Sequence, residues 1–128
     1  MKADRGAAAV ELALVLPVLL LVLFGVIDFG RMLHTQLKLT EAAREGARAA
    51  ALRQNATTRV QAATGGLDGV TAQVTTCPAN AVATQDAVVT VTYHFQVVTP
   101  LAAIAGAFGS GPDESFPMDA RGIMPCAG

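Results

Sequence analysis

The sequence predicts an α+β protein: a long N-terminal α-helix, membrane-spanning in its first half, packed on a small antiparallel β-sheet. Three observations lead there. From Leu12 to Ile27, sixteen consecutive residues carry no charge. A helix from Val10 to Gly30 would be about 31 Å long at 1.5 Å per residue, enough to cross a bilayer. After that span, RMLHTQLKLTEAAREGARAAALRQ stays rich in Ala, Leu, Glu and Arg, and no proline follows until Pro78, so helical character continues to about Arg53. Beyond Gly66 the apolar period changes to two, the alternation of half-buried strands.

Taken in order, residues 1–6 form a short polar leader, 7–30 the membrane helix, 31–53 its continuation outside the membrane, and 54–128 a small C-terminal α+β domain. Pro17 removes one intrahelical hydrogen bond and is expected to bend the membrane half, which lipid-embedded helices tolerate. Glu41 with Arg44 and Glu45 with Arg48 are i,i+3 pairs of opposite sign, each worth a few tenths of a kcal/mol on an exposed face. ATTRVQAATGGLDG reads as a short helix capped by Thr57 or Thr58 and stopped by Gly65 and Gly66. VTAQVTT and AVVTVTYHFQVV read as a hairpin. In the second strand Val89, Val91, Tyr93, Phe95 and Val97 face one way, and Thr90, Thr92, His94 and Gln96 the other. Their connection, CPANAVATQD, is a polar surface loop, and LAAIAGAFGSGPDE a Gly-rich connection. SFPMDARGI reads as a third strand with Phe116, Met118 and Ala120 inward, and Pro117 places it at an edge.

Composition narrows the function classes. The 128 residues are 52% apolar with no Trp and one Tyr, so any aqueous core is thin and built of small side chains. A net charge of −1 without a basic cluster leaves no electrostatic footprint for nucleic acid. The two histidines, His34 and His94, fall on the juxtamembrane helix and on the polar strand face without ligand-spaced partners, and no catalytic motif accompanies them. No enzyme activity, cofactor or metal is expected. Cys77 and Cys126 make too few ligands for a tetrahedral metal site, and a disulfide is the favoured reading. Closing a loop of that length contributes roughly 4 kcal/mol in the chain-entropy model. Two cysteines beyond the span also fit an oxidising compartment for the C-terminal part, although the basic residues Arg31, Lys38, Arg44 and Arg48, set against Lys2 and Arg5, favour the opposite orientation by the positive-inside count. The apolar run ends in VIDFGRML, with no small-residue site of the kind that follows a cleaved secretory signal.

Glu11 is the anomaly of the N-terminal segment. A carboxylate carried into hydrocarbon without a partner costs roughly 3 kcal/mol near a helix centre, so it marks either a headgroup-level position or a function. The leader ends in Gly6, and Glu11 is the fifth residue after it. Cleavage after Gly6 would free the amine of Ala7 and leave the whole apolar segment on the mature chain. RGAAAVELALVLPVLLLVLFGVIDFGR followed by AAREGARAA resembles the TadE-like pseudopilins of the tight-adherence (Flp) pilus systems. The resemblance is good over about residues 5–53 and looser beyond. It implies a minor assembly subunit, processed by a prepilin peptidase between Gly6 and Ala7, with Glu11 as the pilin-type glutamate and the N-terminus in the cytoplasm. The implied partners are that peptidase, other pseudopilins, the Flp pilin, the inner-membrane pilus platform and membrane lipid. Leu12, where an aromatic residue commonly follows the glutamate, and Ala7 in place of Phe depart from the ordinary pilin pattern. The reading from a different class is a membrane-anchored extracytoplasmic binding or adhesin domain whose helix is only a stalk.

Small residues mark one further surface. Ala42, Gly46 and Ala50 repeat at four-residue spacing, as do Ala43, Ala47 and Ala51, and an interior glycine costs about 1 kcal/mol against alanine. A parallel pseudopilin helix packs there, or the protein's own sheet covers the stripe, or the two share the helix, the sheet on one face and the parallel helix on the other, with Arg44, Glu45 and Arg48 flanking the seam.

Overall fold

The computed structural model describes residues 2–82, 84–107, 109 and 115–126. Three helices and three strands follow one another as α1 (Lys2–Ala51), α2 (Ala56–Thr64), β1 (Thr71–Thr75), β2 (Asp86–Gln96), α3 (Leu101–Ala107) and β3 (Ser115–Pro125). By contacts the chain forms two compact units, one of Met1–Arg31 with Val97–Glu114 and one of Met32–Gln96 with Ser115–Gly128. Helix α1 contributes to both.

In the second unit the sheet has the order β1-β2-β3 with both pairings antiparallel. The expected hairpin and third strand are therefore present, and β3, carrying Pro117, is an edge strand as read. Cross-strand rows define the inner face: Val74, Val89 and Gly122 stand side by side, as do Ala72, Val91 and Ala120. Against this face lies the second half of α1, whose buried residues Thr35, Leu39, Ala42, Ala43, Ala47 and Ala50 recur every three to four positions as one helical stripe. Val60 of α2 completes the core and is almost fully enclosed. The outer face keeps polar and charged residues such as Gln73, His94, Asp119 and Arg121 exposed, the alternation of an antiparallel sheet with one wet side.

Several local expectations are corrected. Helix α2 is capped by Asn55, whose side chain accepts the Thr58 N–H at 3.1 Å, not by Thr57 or Thr58. Asn55 is the better cap because it follows a chain reversal at Arg53, the one described non-glycine residue with positive φ, at 58°. There the Arg53 N–H donates to Ala50 O and the Gln54 N–H to Ala49 O, the paired bonds of a Schellman ending to α1. Arg53 in place of the usual glycine has a use for its side chain, since Nη2 donates to Ala79 O at 2.9 Å and fastens the loop after Cys77. LAAIAGAFGSGPDE is not all connection: Leu101–Ala107 is helical, because Pro100 opens the turn and Leu, Ala and Ile carry it. Residues 108 and 110–114 of that stretch lie outside the described residues. Phe116 is 42% exposed although it shares the face of Met118 and Ala120. It stands near the start of β3 opposite Phe95, where the buried part of the strand has not yet begun. Strand β2 ends at Gln96, so Val97 belongs to the following segment.

Candidate assembly and processing segment

Cys77 and Cys126 form a disulfide with a Cα–Cα distance of 5.8 Å. Cys77 lies two residues past β1 and Cys126 one past β3, and the Cys126 N–H donates to Gln85 O just before β2 begins. The bond therefore closes one end of the sheet and removes both sulfurs from any metal-ligand role.

The small-residue stripe is covered from within. A Cβ on Gly46 would lie 2.6 Å from Val60 Cγ2 and 3.1 Å from Val89 Cγ1, so the glycine admits α2 and β2 to the helix surface. All the alanines of the stripe are buried. Arg44, Glu45 and Arg48 are exposed. The structure thus separates the four helix residues, with Gly46 in the core and the three charged ones on the opposite side. Gly46→Leu is expected to abolish folding of this unit, seen as rapid amide exchange throughout β2.

In the other unit α1 runs unbroken through Gly6, Ala7, Glu11 and Pro17. Ala7 and Glu11 are four residues apart, one turn, and so share a face about 6 Å along the axis. Glu11 is exposed, in the midst of Val10, Leu12, Leu14 and Val15, all more than half exposed. A window of α1 has mean hydropathy 2.8 with none of it buried within the chain. Monomers in water rarely expose so large an apolar surface, and the helix is long and apolar enough to cross a membrane. Residues 6–48 match the family model described as TadE-like protein. By this match the N-terminal segment is similar to the TadE-like family. Comparisons with curated proteins and with solved structures return no match. The matched segment starts at Gly6 and ends at Arg48, taking in the apolar half of α1, Glu11 and the charged face at Arg44, Glu45 and Arg48.

Two features escaped the sequence. Gly122 brings β3 onto the backbone of α1, where a Cβ would lie 2.1 Å from Ala43 O. Asp28, which ends the uncharged run, is only 7% exposed: it accepts a hydrogen bond from Thr99 Oγ1 and pairs with Arg31 Nη1 at 3.5 Å. The one available signal was an acid placed directly after Ile27, since nothing in the spacing couples residues 28 and 99.

Proposed function

We propose that the protein is a minor, non-enzymatic pseudopilin of a tight-adherence (Flp) type pilus, required for pilus assembly and adhesion. The observation that carries this is the TadE-like match beginning at Gly6, on a helix whose apolar sleeve is bare and holds a single exposed carboxylate, Glu11. The prepilin peptidase cuts between Gly6 and Ala7 at the cytoplasmic face, and the C-terminal domain stands outside the membrane, where an oxidising compartment keeps the disulfide. The new amine of Ala7 and the Glu11 carboxylate then sit one turn apart in the bilayer. They pair within a subunit or with a neighbour, which offsets the desolvation of both. Other pseudopilins, the pilin and the inner-membrane platform are the partners, and Arg44, Glu45 and Arg48 offer them an exposed charged face outside the membrane.

Two variants test this in the native host. Gly6→Ile is expected to block processing, read as a mass unchanged from the unprocessed chain. Glu11→Leu is expected to be processed and inserted but to leave cells without pili, because removing the charge strengthens insertion while deleting the pairing group. A mature wild-type chain that still begins at Met1 in the presence of the peptidase would overturn the reading in favour of a simple anchored module. Normal piliation by Glu11→Leu would remove the pairing role.

A further inference from the structure

We infer that Val97–Ala107 is a second lipid contact, an apolar loop fastened to the outer end of the span and lying in the membrane interface. The inference rests on α1 crossing the membrane. From Val97 to Gly109 no residue is charged. This segment joins the membrane half of α1 in one compact unit, although the strands on either side of it belong to the other. The fastening is specific: Thr99 Oγ1 donates to the Asp28 carboxylate, which also receives Arg31 Nη1. Asp28 follows directly on Ile27, the last residue of the uncharged run, so the bond sets Thr99 at the level where hydrocarbon gives way to headgroups. Two donors lower the cost of a carboxylate at that depth.

What covers the loop follows from its surroundings. Val98 is 71% exposed and the span's own Val26, Ile27 and Phe29 are 64%, 45% and 61% exposed, while Leu101 and Ile104 are half-buried. The free apolar surface of the loop is thus continuous in depth with a helix surface that lipid already covers. Apolar side chains on a short helix at such a level insert into the headgroup and acyl boundary.

The protein has no tryptophan, so one introduced indole is the only reporter of its kind. The full chain would be reconstituted in phosphatidylcholine vesicles with and without bromine on the acyl chains, carrying in turn Leu20→Trp, Val98→Trp, Ala103→Trp or Gln73→Trp. Bromolipid is expected to quench Val98→Trp and Ala103→Trp to within about twofold of Leu20→Trp, and to leave Gln73→Trp unchanged. Adding Thr99→Val to Ala103→Trp should lower the quenching at least about twofold if the bond to Asp28 holds the loop down. Quenching of Leu20→Trp without quenching at 98 and 103 would overturn the inference and leave the span intact, as expected if a neighbouring subunit covers the loop instead. Absence of quenching at all four positions would overturn both. Full quenching in the Thr99→Val background would overturn the fastening.

Discussion

Gly122→Ala is expected to unfold the unit that holds the sheet. The added methyl would stand 2.1 Å from Ala43 O and 2.5 Å from Ala43 C, and both are backbone atoms of a helix held by its own hydrogen bonds. Relief requires α1 and β3 to separate by about 1 Å along the line where they meet, opening the rows of Val89 and Val91 beside it. Overpacking costs about 1–3 kcal/mol where side chains give way; here none can, so about 3 kcal/mol or more is expected. Gly46→Ala meets mainly Val60 Cγ2, a branched side chain on a nine-residue helix, and part of its cost is returned by the better helix propensity of alanine. About 1–2 kcal/mol is expected there. Amide exchange of β2 and β3 in the reconstituted chain separates the two: protection should fall at least about a hundredfold for Gly122→Ala and roughly tenfold for Gly46→Ala. Equal, small effects would show that α1 does not rest on β3 as described.

Removing the disulfide is the second large perturbation. Cys77 and Cys126 are 49 residues apart, and in the chain-entropy model opening such a loop costs about 4 kcal/mol, with losses of native disulfides in small secreted domains running at about 2–5 kcal/mol. The unit it closes has a core of alanines and valines with Leu39, Phe95 and Met118 as its larger members, so that loss is a large share of its total stability. The Cys77→Ala, Cys126→Ala double variant should melt roughly 10–25 °C below the wild type in reconstituted form, followed by the single tyrosine, Tyr93, on β2. The two ends of the sheet should respond unequally. Amides near Asp86, where the bond and the Cys126 N–H to Gln85 O contact meet, should lose protection first, and those near Thr92 last. Uniform loss would mean that the bond acts only on the unfolded chain.

Much of this was legible because it is local. Helix α1, the strands and the edge position of β3 follow from periodicity and from Pro117, and the pairing of Cys77 with Cys126 from there being no other thiol. Gly6, Ala7 and Glu11 are readable as a segment because their spacing along one helix fixes their geometry. The misreadings share a cause. Asn55 caps α2 because of how α1 terminates at Arg53, and Phe116 is exposed because burial along a strand depends on what lies over each end, which alternation does not encode. In the small-residue stripe the sequence showed that something approaches the helix closely, but α2, a parallel partner and the protein's own sheet write the same pattern of Ala and Gly.

The sequence by itself determined the long apolar helix, the carboxylate of Glu11 five residues after Gly6, and the change from helical to strand period, because each depends on residues within a few turns of one another. Only the tertiary structure decided that Val60 and Val89 occupy the space at Gly46, that β3 needs Gly122 to reach α1, and that Thr99 meets Asp28. These contacts join residues tens of positions apart, and whether two such groups meet depends on the register of strands and the packing of helices, which no spacing along the chain records.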